Sequence, residues 1–203
     1  MTRMTRKRVA ILISGRGSNM AALIDAAKAP DYPAEIVLVV SNRPDALGLV
    51  HAREAGIATA LIDHRAFGAD REAFERAIDA ALDDHRIDLV CLAGFMRLFT
   101  PWFVSRWSGR MLNIHPALLP EFKGLHTHRR ALEAGAKRHG ATVHFVAAEM
   151  DSGPVIVQEA VPVLDGDTEE TLSRRVLEAE HRIYPEALRR VAEGRVAVTL
   201  PDA

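Results

Sequence analysis

A single cysteine, Cys91, is the whole thiol content of 203 residues, and one cysteine can form no intrachain disulfide. Its position inside the apolar run Leu89-Val90-Cys91-Leu92-Ala93 predicts burial, which removes it as a nucleophile and suits a reducing cytoplasm. Charge of one sign is also missing. Lys+Arg 26 against Asp+Glu 27 leaves a formal charge of -1, so no bulk field favours a nucleic acid or an anionic membrane. Arg3, Arg6, Lys7 and Arg8 form a short basic cluster without interleaved aromatics and read as a solvated terminus. Trp102 and Trp107 read as packing residues, not a stacking platform. No uninterrupted apolar run approaches the ~20 residues that span a bilayer, and no apolar leader with a small-residue cleavage site follows the N-terminus. The expectation is a globular cytoplasmic protein with no nucleic-acid or membrane partner.

What is present is enough apolar residue, 48% of the chain, for a sheet covered on both faces. Val9 to Ile13 is a short run with β-branched residues, followed by Ser14-Gly15-Arg16-Gly17-Ser18-Asn19 and helix formers through Ala27. That order predicts strand, tight loop and helix. It recurs with a buried strand over 36–40, a helix over 46–55 ended by Gly56, and a strand over 58–62. Asp70 can cap a helix whose apolar positions Phe74, Ala77, Ile78, Ala81 and Leu82 keep helical spacing. Beyond it come a strand over 89–93, a helix from Pro101 to about Trp107, and a strand over 111–114. A helix from Thr127 or His128 to Lys137 precedes β segments over 141–147 and 155–163, and helix resumes from Thr168. The predicted fold is a single-domain, Rossmann-like α/β structure over 1–203, with a mostly parallel twisted sheet, helices on both faces and an antiparallel C-terminal portion.

Gly15 and Gly17 remove side chains where the backbone must turn sharply, and the helix starting near Asn19 offers free amides and a favourable dipole. A phosphate fits such a place. A P-loop would need a Gly-Lys-Ser/Thr ending, and the dinucleotide fingerprint would need a small residue where Met20 stands. Ser41-Asn42-Arg43 ends the second strand without an acidic residue for a ribose hydroxyl, which disfavours NAD.

The most informative residues lie later. Asn113-Ile114-His115-Pro116 and the distant Asp151 supply an amide, an imidazole and a carboxylate without a nucleophile beside them. These groups can stabilise an oxyanion and move protons around a tetrahedral intermediate. The carboxylate would hold one imidazole nitrogen and favour its protonated form, leaving the other nitrogen to face substrate. His144 alternates within Thr142-Val143-His144-Phe145, and both a cleft-facing and a structural role stay open for it. His126 is a minor substrate-contact candidate. The pair His126/His128 lacks the flanking cysteine or acidic ligands of a metal site, so no metal is expected. Glu180 falls on the stripe of Leu172, Val176 and Ile183, where an unpaired carboxylate would be costly to bury and a polar partner is required.

The segments Ile13–Asn19, Leu92–Arg97, Asn113–Pro120 and Met150–Pro154 together resemble the phosphoribosylglycinamide formyltransferase family, the folate-dependent enzymes of purine synthesis. The resemblance runs nearly end to end. It implies that the amine of glycinamide ribonucleotide attacks the formyl carbon of 10-formyltetrahydrofolate, the cosubstrate, with Asn113, His115 and Asp151 as the catalytic group. It places the ribonucleotide phosphate on Gly17, Ser18 and Asn19, and the glycinamide portion on Glu180. The folate maps to Arg71, to Met96, Arg97, Leu98 and Phe99, to Asn113, and to the loop Ala147, Ala148, Glu149, Met150 and Asp151. Ala147-Ala148 stand where relatives often carry polar residues, so readout there falls to the backbone. On this reading residues to about 110 carry the phosphate and ribonucleotide elements, and 111–203 the catalytic and folate elements. The chain would act as a monomer or homodimer.

A hydrolase releasing formate from the same donor could use the same three groups with water, and the shortness of the chain argues against it because such relatives usually carry a further regulatory domain. A formyltransferase acting on aminoacylated tRNA would call for an extra nucleic-acid-binding domain and a more basic surface. A noncatalytic nucleotide-binding protein of the same architecture would have no reason to converge Asn113, His115 and Asp151 on one cleft.

Overall fold

The structure is a computed structural model that describes residues 5–196. Among them, seven strands form one sheet: β1 (Lys7–Ile13), β2 (Ala34–Ser41), β3 (Ala58–Leu61), β4 (Leu89–Leu92), β5 (Met111–His115), β6 (Arg138–Phe145) and β7 (Val155–Pro162). Their spatial order is β3-β2-β1-β4-β5-β6-β7. Pairing is parallel from β3 to β5 and antiparallel from β5 to β7. Six helices accompany them: α1 (Ser18–Ala27), α2 (Leu47–Glu54), α3 (Arg71–Asp84), α4 (Pro101–Arg106), α5 (Thr127–Glu133) and α6 (Glu169–Ala192).

The period-two alternation of β1 builds both cores. Val9, Ile11 and Ile13 pack with residues of α1, α2 and α6 on one face, while Ala10 and Leu12 pack with residues of α3 and α4 on the other. A strand buried on both sides must be apolar throughout, which is why β1 reads as an unbroken run. α6 buries Leu172, Val176, Ile183 and Leu188. At roughly 1.5–3 kcal/mol for each such side chain, this stripe outweighs the ~3 kcal/mol that an interior proline costs a helix, so Pro185 is tolerated.

The chain winds outward from β1 in one direction through β2 and β3, then returns to β4 and continues the other way. The carboxyl ends of β1 and β4 therefore flank the topological switch point, where open α/β sheets hold ligands. The register carries this edge onward: Leu12 pairs with Leu92, and Leu92 with Asn113.

Two sequence expectations are corrected. The helix expected to reach Lys137 stops at Glu133, and the strand expected from Ala141 begins at Arg138. Gly135 adopts φ +64, with Gly135 N–H bonded to Leu132 O and Ala136 N–H to Ala131 O. That is the double bond pattern of a left-handed glycine stop. The basic cluster also differs from a solvated terminus. Arg6 donates to the carbonyls of Tyr32 and Ala27, and Arg8 donates to His85 O and pairs with Glu35 at 3.1 Å; Arg3 lies outside the described residues.

Candidate active site

Asn113 ends the β4–β5 ladder and lies opposite His144 in the antiparallel register. Asn113 Nδ2 is 3.2 Å from His144 Nε2, and His144 Nδ1 is 2.9 Å from Phe145 O. A carbonyl only accepts, so Nδ1 carries the proton and Nε2 is left to accept from the Asn113 amide. Burial lowers the His144 pKa, against the opposing pull of Phe145 O and Asp151, which keeps this neutral tautomer. The consequence falls on Asn113: one amide hydrogen is committed to His144, and the second remains for a ligand oxygen.

His115 is buried and its two nitrogens have different partners. Nδ1 lies 3.5 Å from Asp151 Oδ2, an ion-pair separation longer than a formed hydrogen bond. Nε2 lies 3.0 Å from Phe122 O, so Nε2 carries a hydrogen and donates it. The expectation that the second nitrogen faces substrate is thus corrected, since a backbone carbonyl occupies it. Asp151 follows β6 in a left-handed conformation, φ +53, which swings its carboxylate back toward β5. Its Oδ2 accepts from Gly124 N–H at 2.9 Å, and its Oδ1 is 3.8 Å from His144 Nε2.

At the other side of the switch point, Gly17 sits at φ +78 as the N-cap of α1, which has no side-chain cap and no acidic residue in its first turn. A Cβ at Gly17 would come 3.2 Å from Gly48 Cα, so close backbone approach and handedness both call for glycine. Asn19 Nδ2 donates to Glu180 Oε2 at 3.0 Å, supplying the polar partner that the stripe position demanded. Glu180 is 6% exposed, and burial raises its pKa while the Asn19 bond opposes the shift. Asn19 Oδ1 is buried without a partner. This bond joins residue 19 to residue 180 and so ties the two halves of the chain together.

The remaining candidates differ in their surroundings. Arg71 donates to Leu98 O at 2.6 Å, joining the start of α3 to the segment after β4. Met96, Leu98 and Met150 are large apolar side chains left exposed, whereas Phe99 stacks between Phe95 and Phe103 and anchors its segment. Arg97 and Ala147 are half-buried, and Ala148 and Glu149 are exposed. His126 is exposed and caps α5 at φ +57.

The sequence reading passed over Ser14, whose hydroxyl donates to Asn42 Oδ1 at 2.6 Å and accepts from Met96 N–H at 2.8 Å. It ties the glycine loop to the segment 96–99. Its signal was position alone: a hydroxyl at the end of a buried strand must bond to something. Phe122 was also missed, and since its carbonyl acts, no side-chain pattern could reveal it. Cys91 is fully buried and its thiol is pushed up to about 12 by burial, so it offers no thiolate.

Among the described residues no nucleophilic side chain is hydrogen-bonded to Asn113, His115 or Asp151, so these groups can stabilise charge and move protons, the equipment of a group-transfer enzyme on a doubly wound α/β fold. A family model described as formyl transferase matches residues 7–188, and the chain belongs to the formyl transferase family. It is 50% identical over 188 residues to phosphoribosylglycinamide formyltransferase of Escherichia coli, covering 93% of this chain and 88% of that protein. A crystal structure of phosphoribosylglycinamide formyltransferase from Brucella melitensis superposes with TM-score 0.89 at 57% identity, covering 96% of this chain and all of that one. Identity is 55% over 191 residues to the trifunctional purine biosynthetic protein adenosine-3 of Gallus gallus. Of that relative's length the chain spans about one fifth, 19%.

Proposed function

We propose that this chain transfers the formyl group of 10-formyltetrahydrofolate to the amino group of glycinamide ribonucleotide. The observation that carries the reading is the Asn113–His144 and His115–Asp151 arrangement at the end of β5, in a chain whose full-length relatives bear that activity in their names. The folate donor supplies an activated formyl carbon. The amine nitrogen bonds to that carbon, the carbon's bond to the folate nitrogen breaks, and one proton passes from amine to folate nitrogen.

The second amide hydrogen of Asn113 serves the oxygen that becomes negative as the amine attacks. His115 Nδ1, its other nitrogen being committed, carries charge or a proton on the same side together with Asp151. The uncapped amides of Gly17, Ser18 and Asn19 receive the ribonucleotide phosphate, with the α1 dipole in their favour. Glu180 reads the glycinamide portion. Exposed Met96, Leu98 and Met150 suit a flat, largely apolar ligand, with Arg71, Arg97 and the backbone of 147–151 around it; Phe99 fixes that wall from behind.

Purified protein incubated with 10-formyltetrahydrofolate, with and without glycinamide ribonucleotide, tests the reading. The expected product is formylated ribonucleotide, formed only when both are present. Formate released at the same rate without the ribonucleotide would instead identify a hydrolase. A chain that binds nucleotide yet consumes no formyl donor would be a noncatalytic relative.

A further inference from the structure

The three residues Phe122–Gly124 touch both members of the His115–Asp151 pair through the backbone alone. Phe122 O accepts from His115 Nε2 at 3.0 Å, and Gly124 N–H donates to Asp151 Oδ2 at 2.9 Å. The first contact fixes the imidazole tautomer, and the second sets the carboxylate's position and satisfies one of its lone pairs. Both depend on left-handed backbone, which is ordinary for Gly124 at φ +81 but unfavourable for Phe122 at φ +51. A large aromatic residue in the left-handed region costs of order 1 kcal/mol or more and persists only where its surroundings over-determine it.

One side chain from outside the segment contacts it at three residues. Arg130, on α5, donates from Nη1 to Lys123 O at 2.6 Å and to Leu125 O at 3.4 Å. Its guanidinium carbon also stands 5.7 Å from the Phe122 ring centroid. On its far side the Phe122 ring meets the edge of His139 at 5.8 Å and 78°. Arg130 thus grips the residue on either side of Gly124 by its carbonyl and Phe122 by its ring.

We infer that Arg130 is a positioning residue for formyl transfer: it holds the segment 122–125 in the strained conformation that keeps His115 protonated on Nε2, with Nδ1 turned to Asp151. The inference rests on the proposed function for its catalytic meaning, but its structural core concerns the free protein. Lysine would supply one donor without the planar fork or the ring contact; methionine would supply neither donor nor charge. The groups that face His115 are Asp151 from the loop after β6, His144 and His139 from β6, and His128 from α5. Arg130 acts on none of them directly.

The experiment compares wild type, Arg130→Lys and Arg130→Met. Nitrogen-15 NMR of the histidine rings in the free proteins reports the tautomer of His115, assigned by its loss in His115→Ala. Wild type should show Nε2 protonated throughout, with no Nδ1–H-only form. Arg130→Met should show a mixture of tautomers, and kcat should fall about fivefold, the worth of one hydrogen bond, with KM for either substrate changed less than about twofold. Arg130→Lys should recover part of both effects. An unchanged tautomer in Arg130→Met, or a loss of activity shared equally by Met and Lys, would overturn the inference. A wild type that shows the Nε2–H form yet forms no formylated ribonucleotide would sink the proposed function while leaving the positioning role standing.

Discussion

The start of α1 and the cluster at the end of β5 lie on one sheet edge, separated by about two strand spacings, roughly 10 Å, yet they are built from opposite materials. At α1 the working groups are backbone amides, and side chains are excluded: Gly17 caps the helix in a left-handed conformation and nothing acidic enters the first turn. At β5 the working groups are side chains, and the backbone serves to orient them through Phe122 O, Gly124 N–H and Phe145 O. α6 shows what an ordinary helix start looks like in the same protein, with Thr168 and Thr171 forming a reciprocal cap and Glu169 and Glu170 in the first turn. On the proposed function, the difference makes binding and chemistry separable here. A dianionic tail needs many weak donors and no competing carboxylate, whereas a reacting carbonyl needs a few groups with fixed protonation.

The strongest test of that separation is at the side-chain end. Asn113→Ala, His115→Ala and Asp151→Asn should each lower kcat by about 10²–10⁴-fold while the affinity for ribonucleotide changes little. Single-turnover rates alongside ribonucleotide binding by calorimetry would separate the two, and a parallel collapse of binding would mean the two regions are one. The complementary change is Gly17→Val. A branched side chain at φ +78, with its Cβ 3.0 Å from Met20 Cε and 3.2 Å from Gly48 Cα, should raise KM for the ribonucleotide at least about tenfold through lost phosphate contacts. The folate KM should stay within about twofold; loss of both would locate the damage in folding, which a melting curve would reveal.

A third prediction uses the unlike electrostatics of the two regions. His139, beside Phe122 and His128, has a pKa lowered from 6.5 to about 4, first by burial and then by the fields of His128 and His115. Between pH 6.5 and 4 the unfolded chain takes up a proton that the folded chain refuses, so stability falls as pH is lowered through that window. His139→Leu should flatten the slope, losing about 1–2 kcal/mol less than wild type between those limits. His128, His144 and His181, also lowered by burial, leave a residual slope of the same sign, opposed by the raised carboxyl of Glu180. Asp63, held at about 2 by Arg65, titrates below the window. Urea unfolding at pH 7, 5.5 and 4 measures the effect, and identical slopes in both proteins would rule it out.

The two regions were not equally readable in sequence. The backbone site announced itself, because only glycine relieves a left-handed cap and a close approach, and β1 with its following helix is a local pattern. The parallel order and the helix faces were readable for the same reason. Of the side-chain cluster, the residues Asn113, His115 and Asp151 were readable but their wiring was not. That His144 lies against Asn113 follows from an antiparallel register between segments 31 residues apart, and that Phe122 O claims His115 Nε2 follows from backbone conformation in a loop. Neither leaves a mark in residue type. The misplaced end of α5 had a signal, Gly135, whose role as a stop depends on the left-handed geometry it adopts.

The smallest expected effect lies where the regions meet. Asn19, in the first turn of α1, is bonded to Glu180 of α6, and burial raises the Glu180 pKa above its ordinary value of 4.5. A carboxyl whose folded pKa is raised binds protons more tightly folded than unfolded, so the folded state loses stability as pH rises above 4.5, and the ionised group is a net cost near neutrality. Glu180→Gln keeps an oxygen to accept from Asn19 Nδ2 and removes the charge. The variant should be more stable than wild type at pH 7 by up to about 1 kcal/mol, with the gain vanishing toward pH 4. A charge kept at such a cost should serve a ligand, so the same variant should bind ribonucleotide more weakly by several-fold while leaving folate binding unaltered. If Glu180→Gln were instead less stable at pH 7 and bound ribonucleotide normally, Glu180 would be a structural partner of Asn19, and the boundary between the two regions would fall at α1 alone.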